Sequence, residues 1–265
     1  MPVFADQSDA VQSMLDHLVA GKVEIVDLTQ PLSESSPVMR VPEPFVNATG
    51  LKMTELSNYD ERGPRWRWNH LELGEHVGTH LDAPMHWISG QGGEDVANVP
   101  LSRLVGPAVV IDCTEQVEAN PDYLLTIEDV QKFEAKHGPL PEGGWLLYRT
   151  GWDSRVHDVG MFLNNASGSA RTPGVAPACA KWLAHETGIV GIGVQTVGTD
   201  AGASPTFDPP TPVHYYMHGA GKYGVTQLTN LDKLPPTGAL IVVAPLRLVG
   251  GTGSPARVMA FVPTT

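Results

Sequence analysis

Between Gly74 and Trp87 the chain reads Gly-Glu-His-Val-Gly-Thr-His-Leu-Asp-Ala-Pro-Met-His-Trp, which places His76, His80, Asp82 and His86 within eleven positions. Imidazole nitrogens and a carboxylate oxygen are the ligands that a borderline divalent cation such as Zn²⁺ or Mn²⁺ takes. The four-residue step from His76 to His80 would suit a helix, but Gly78 and Pro84 argue against one. His80 and Asp82 are two apart and share a face of an extended segment. A turn at Val77-Gly78 would fold His76 back over them. Glycine at the turn permits positive φ and a close approach of backbone to ion.

Three protein ligands leave positions open for water and substrate, the mark of a catalytic rather than a structural site. A cation so held lowers the pKa of water towards roughly 7 and polarises a carbonyl oxygen. His86 follows Asp82 by four residues. As acid–base it would take a proton from the attacking water and pass it to a leaving nitrogen or oxygen, for which an unperturbed pKa near ~6.5 suits both directions. A fourth ligand is the alternative role, and geometry decides between them. A lone histidine is usually a surface or a satisfied core residue. Four donor residues in eleven positions, shaped by glycine and proline, are poorly explained as a chance grouping.

The elements around this stretch alternate. Val11, Met14, Leu15, Leu18 and Val19 recur at helical spacing and predict an amphipathic helix that Gly21 stops. Residues 22–29 read as a strand, residues 31–50, with four prolines, as irregular, and residues 51–57 as a second strand. Residues 58–70 are aromatic, charged and loop-like. Beyond the histidines, residues 106–113 predict a buried strand, and Thr126 with Asp129 a capping box opening a helix through Lys136. Strands are expected at 145–150, 188–196, 223–228, 239–248 and 256–262, a helix at 176–186, and a proline-rich loop at 201–213. Helices lying between more numerous strands imply one α/β domain over residues 1–265 with a mixed, strand-rich sheet.

At 265 residues the chain can build a core without a disulfide or structural metal, so a dense ligand cluster points to function. A net charge of -12 disfavours nucleic acid and anionic membrane as partners, and says little about a small substrate because a local metal can outweigh the global field. Cys113 and Cys179 read as small buried side chains in a reducing compartment. No apolar stretch approaches the roughly 20 residues of a membrane span. The first eighteen residues have no basic region followed by a long apolar one, so the expectation is a cytoplasmic protein without a leader.

The stretch from His76 to His86 resembles the His-x-Gly-Thr-His-x-Asp-x-Pro-x-His signature of the cyclase family of metal hydrolases, which includes bacterial kynurenine formamidases and isatin hydrolases. Residues 150–155 (TGWDSR), 193–202 (GVQTVGTDAG), 210–218 (PTPVHYYMH), 228–235 (LTNLDKLP) and 248–255 (LVGGTGSP) resemble isatin hydrolase segments in the same order. The resemblance implies the family's swivelling β/β/α fold, a homo-oligomer (dimer or higher), metal ligands at His76, His80 and Asp82, and a catalytic histidine at His86. It implies hydrolysis of a cyclic amide, isatin to isatinate first, with an aryl formamide such as N-formylkynurenine or a lactone as alternatives. A non-catalytic, metal-dependent binding protein is the rival from another class.

His214 matches a histidine that in kynurenine formamidases binds a second metal together with a glutamate. Thr226 stands in that glutamate's place, and threonine is a poor ligand for a borderline cation. The expectation is therefore one ion, Mn²⁺ or alternatively Zn²⁺, with His214 hydrogen-bonding near substrate or lying on a loop after Pro212. Trp66, Trp68 and Trp87 would frame a flat aryl substrate. Gln227, where isatin hydrolases carry a serine, is assigned to the same pocket. Arg65, Arg67 and His70 depart from the isatin hydrolase pattern. The arginines either select a carboxylate or are solvated. Gly250 to Ser254 is glycine-rich but lacks the Lys-Ser/Thr of a phosphate loop, and no serine sits in a Gly-x-Ser-x-Gly context.

Overall fold

The computed structural model describes residues 7–166 and 170–264. In chain order the elements are α1 (Gln7–Val19), β1 (Val23–Asp27), β2 (Lys52–Asn58), β3 (Arg67–Glu72), β4 (His80–Asp82), α2 (Leu101–Leu104), β5 (Val105–Asp112), α3 (Thr114–Ala119) and β6 (Leu124–Leu125). There follow α4 (Ile127–His137), β7 (Trp145–Arg149), α5 (Val159–Leu163), β8 (Gly174–Val175), α6 (Pro177–His185), β9 (Gly191–Val194), β10 (Tyr223–Thr226), β11 (Ala239–Pro245) and β12 (Gly253–Pro263). The first six residues, on which the expectation of no leader partly rested, lie outside the described part. No helix among the described residues is long and apolar enough to cross a membrane.

Eight strands form one mixed sheet in the order β1-β12-β11-β5-β7-β9-β10-β4, and a further pairing of β12 with β4 closes it into a barrel. Strands β5, β7, β9 and β10 run parallel; the remaining pairings are antiparallel. The expected strand-rich α/β domain is what forms.

Parallel strands covered on both sides read as continuous apolar runs, and β5 and β7 do so for that reason. Alternate residues Ala108, Val110, Trp145 and Leu147 face the barrel interior with Val225, Ile241 and Val258. Their neighbours Val109, Ile111, Leu146 and Tyr148 face outward into a second core with Val130, Phe133, Cys179, Leu183 and Met217. Helix α4 opens on the expected capping box: Asp129 N donates to Thr126 Oγ1 while Thr126 N donates to Asp129 Oδ2.

One expectation fails locally. Residues 67–72 are a strand, not a loop: β3 pairs antiparallel with β2, Lys52 opposite Glu72 and Asn58 opposite Arg67. Every β3 residue is exposed, as are all but one of β2. A hairpin with two solvated faces lacks the inside–outside alternation from which a strand is recognised. Helix α1 forms as expected; Val11, Leu15 and Val19 are exposed at 66%, 48% and 90%, so its apolar stripe is not covered among the described residues. Helices α3 and α5, five or six residues each, gave no legible period.

Both cysteines are buried and unpaired, and burial pushes each thiol up to about 12. The thiolate is the reactive species. The native protein at pH 8 should therefore resist an aromatic disulfide reagent, and two thiols should titrate once denaturant is added. Rapid native labelling would show that the outer core is open around α6.

Candidate metal centre

Strand β4 is three residues long and closes the barrel, with Asp82 opposite Gly224 of β10 and Gly253 of β12. Leu81 points into the barrel core, so His80 and Asp82 share the opposite face. Gly78 adopts φ +63 and turns the chain so that His76 returns over that face. A β-carbon at position 253 would collide with the His76 ring, so glycine there gives the imidazole its space. His76 and His80 stand nearly perpendicular, ring centres 5.2 Å apart. One ligand atom from each of His76, His80 and Asp82 falls within 4.8 Å of the others.

The hydrogen bonds fix which nitrogens are free. Thr252 Oγ1 donates to Glu75 Oε2 at 2.7 Å, so at 3.0 Å it accepts from His76 Nε2–H. His76 Nδ1 then presents a lone pair 2.7 Å from Asp82 Oδ1. Two acceptors at that distance require a proton or a cation between them. Burial works to raise the Asp82 carboxyl, but the charges of His80 and His76 and their hydrogen bonds outweigh it and hold the group well below the carboxylate range. His80 Nδ1 donates to Gly78 O at 2.7 Å, leaving Nε2 3.3 Å from the same Asp82 oxygen. Imidazoles with the second nitrogen tied to a carbonyl or hydroxyl are how histidine ligands are oriented. The donor set fits a divalent cation.

His86 sits on the single helical turn after Pro84, its ring centre 3.9 Å from His76 and tilted 30°. It lies outside the ligand triad. Burial pushes its pKa down to about 3; Asp82 opposes this, while His76, His214 and His218 add to it.

His214 does join the site, 5.5 Å ring to ring from His86 and 4.7 Å from Trp87. Asp200 Oδ2 accepts its Nδ1–H at 2.5 Å, and the two Asp200 oxygens also accept from Val213 N and His214 N. Burial lowers the His214 pKa, but the Asp200 hydrogen bond and charge prevail and raise it. Thr226 is fully buried, its hydroxyl 3.0 Å from His80 Nδ1 and 3.3 Å from Nε2, so no carboxylate stands there. Gln227 follows with φ 53, buried, its Oε1 without a partner.

Trp66 and Trp68 are not brought to the cluster within one chain. They sit at and beside the start of β3, ring centres 6.4 Å apart, 48% and 56% exposed. Arg65, Arg67 and His70 are exposed as well. A groove of about 600 Å³ lies between the hairpin and residues 32–35, lined in part by Arg67, Glu34 and Glu55. It holds none of the histidines.

Sequence reasoning does not single out His218, Thr252 or Glu75; Asp200, at a strand end, is open there to either a site or a turn. His218 is 2% exposed, on the single π-helical turn His214–His218, with its ring centre 5.4 Å from His214 and 6.0 Å from His86. Its four-residue spacing from His214 was the available signal.

The chain is 41% identical over 249 residues to an isatin hydrolase from Roseibium aggregatum, covering 93% of this chain and 94% of that one. It superposes with a TM-score of 0.94 and 39% identity on the crystal structure of an isatin hydrolase bound to the product analogue thioisatinate, the whole of each chain being covered. A kynurenine formamidase from Salinibacter ruber is 28% identical over 196 residues, 71% of this chain and 76% of that one. The Cyclase family profile matches residues 26–201, and the chain belongs to that family.

Proposed function

We propose that this chain is a metal-dependent amidohydrolase that opens a cyclic amide, with isatin as substrate and isatinate as product. The observation that carries the reading is the ligand triad His76, His80 and Asp82 with the His86 ring stacked against it. The similarity to isatin hydrolases over nearly the whole chain supports the choice of ring. A divalent cation held by the triad, Mn²⁺ or alternatively Zn²⁺, supplies Lewis acidity for the carbonyl oxygen and acidifies water.

The chain's own groups do the rest. His86 accepts the proton of the attacking water as the new C–O bond forms, and returns it to the nitrogen as the C–N bond breaks. Ring opening leaves a single product that carries both a carboxylate and an aryl amine; one proton of the water ends on the nitrogen and the other is released as the carboxyl ionises, so atoms and charge balance. Asp200 holds His214 in one tautomer with Nε2 free on the substrate side. Trp87, stacked near His214, offers a flat face to an aryl ring. Gln227 Oε1, buried without a partner, is assigned to the substrate N–H.

The chain acts as one domain in a cytoplasmic homo-oligomer, dimer or higher. Support for assembly comes from the hairpin: Met53, Leu56, Trp66, Trp68 and Leu71 are all exposed by 41% or more. Fully burying such a side chain contributes on the order of 1.5–3 kcal/mol, which favours a covering partner. In this reading Trp66 and Trp68 line the pocket mouth of a neighbouring subunit.

The first test is turnover itself. Metal-loaded enzyme should consume isatin faster than N-formylkynurenine or aryl lactones, lose activity to a chelator and regain it with Mn²⁺ or Zn²⁺. Binding of isatin without turnover would make the chain a binding protein. His80→Ala should lose metal and activity together; full metal occupancy in that variant, by mass spectrometry, would remove His80 from the ligand set. His86→Ala should keep its metal and turn over about 10²–10⁴-fold more slowly. Loss of the ion instead would make His86 a ligand. Trp68→Ala should raise KM for isatin with metal content and melting unchanged, and wild-type kinetics would separate the hairpin from specificity.

A further inference from the structure

The parallel strands β5, β7 and β9 end side by side, and their carboxyl ends carry Asp112, Arg149 and, one residue beyond β9, Gln195. Ligands of α/β sheets bind outside the carboxyl ends of such strands. A cleft of about 400 Å³ opens there, bordered by Gln30, Arg149, Val156, Gln195 and Asp232 among others. That volume lies within the roughly 300–1,000 Å³ of small-molecule sites. None of the histidines of the metal centre borders it.

Gln30 is the group that calls for an occupant. It is 8% exposed, and its backbone N–H donates to Thr79 Oγ1 at 2.9 Å. Its side-chain amide borders the cleft and has no hydrogen-bond partner among the described residues. A buried amide left unpaired costs stability, and such groups are rare in native structures. The neighbouring polar groups are already engaged. Gln195 Oε1 accepts from Thr150 N and Gly151 N, and its Nε2 donates to Asp153 Oδ1. Asp153 Oδ2 accepts from Thr229 Oγ1 and Asn230 N.

The charges of the cleft decide what fits it. Arg149 Nη1 donates to Asp112 Oδ2 at 2.6 Å, in a pair whose side chains are 30% and 45% exposed. An ion pair so open to water is worth little. Nε and Nη2 of the guanidinium remain as a fork for a second carboxylate. Asp232 adds an exposed carboxylate, Asp153 a further negative charge, and His157 an exposed imidazole. A phosphate or dicarboxylate would meet two like charges, and a simple ammonium ion would meet the guanidinium. A molecule carrying both signs avoids both penalties. Val156 supplies apolar surface for a short side chain.

We propose that this cleft binds a small zwitterion, a free α-amino acid with a short aliphatic side chain. Its carboxylate meets Arg149 and the Gln30 amide, and its ammonium group meets Asp232. The site is separate from the histidine cluster and does not depend on the proposed function.

The test is calorimetric titration of the full-length protein with L-valine, propionate and isobutylamine, each with and without metal. L-Valine should saturate at one per chain with a Kd below about 10 mM. The two singly charged analogues should bind at least about tenfold more weakly. Gln30→Leu, Arg149→Met and Asp232→Asn should each weaken L-valine at least about tenfold, since each removes one hydrogen-bonding or charged partner. Unchanged melting curves identify these losses as ligand effects, and three variants guard against one failing to fold. Metal-free protein should bind L-valine as well as the loaded protein does. Absence of saturable binding overturns the proposal. Binding that disappears with the metal places the amino acid on the histidine cluster and overturns it too. So does binding that survives all three substitutions, or propionate binding as tightly as L-valine. Each of these outcomes leaves isatin turnover to its own assay.

Discussion

An ionised carboxylate buried as deeply as that of Asp82 must be compensated, because the effective cost of an unpaired buried charge is several kcal/mol. Much of the local architecture follows from this requirement. The residues opposite Asp82 on both flanking strands are glycines, Gly224 and Gly253. A β-carbon at 224 would crowd Thr199 and approach Asp82 Oδ2 at 3.2 Å, and one at 253 would enter the His76 ring. The barrel seam is thus cut back on both sides to let imidazoles surround one carboxylate. Four of them lie around it: His76 and His80 on one side, His214 and His218 on the other. The strand that closes the barrel and the strand that carries Asp82 are the same three residues, so closure of the barrel and formation of the cluster are one event.

Each of these imidazoles is oriented by a partner from a different stretch of chain. His76 is tied to Thr252 and through it to Glu75, His80 to Gly78, His214 to Asp200, and His218 to Lys222. Thr252 precedes β12 and Asp200 follows β9, and those strands reach β4 directly or through β10. The fold's contribution to chemistry is this outer ring of acceptors, which selects one nitrogen of each ring for the interior. It is also the part that motif reading sees least. The ligand stretch is local in sequence and could be recognised from residue type, spacing and the turn at Gly78. Thr252 is 176 residues from His76, and nothing in either neighbourhood announces the other.

The same distinction separates the legible parts of the fold from the rest. Strands β5 and β7, the capping box of α4 and the amphipathic α6 declared themselves because each has an inside and an outside, or a cap, within a few residues. Of the β2–β3 hairpin only β2 was legible, because both faces of the hairpin meet solvent in the chain. The aromatic residues expected on a loop lie in part on strand β3. His218 was missed for another reason. The π-helical turn that carries it widens the step between His214 and His218, and a His-x-x-x-His pair between proline and glycine looks like a loop remnant until Met217 is seen packed in the outer core.

Two of the segments outside the histidine stretch that carried the family resemblance, residues 150–155 and 228–235, are scaffolding. In residues 150–155, Asp153 Oδ2 accepts from Thr229 Oγ1 and Asn230 N, and Asp153 Oδ1 from Gln195 Nε2. Gln195 Oε1 in turn accepts from the backbone of Thr150 and Gly151. One network therefore binds the loops after β7, β9 and β10, and its side-chain groups are satisfied among themselves, so it has no valence left for a substrate. Its effect is positional. Gln227 N donates to Thr196 O, and Gln227 O accepts from Thr79 Oγ1, next to His80. Pulling the three loops together sets Thr226 against His80 and leads the chain from Thr196 to Asp200, where it meets His214. A polar network that anchors three strand ends holds the imidazoles at fixed separations, and a site whose ligand atoms must converge within a few ångströms depends on that more than on any single donor.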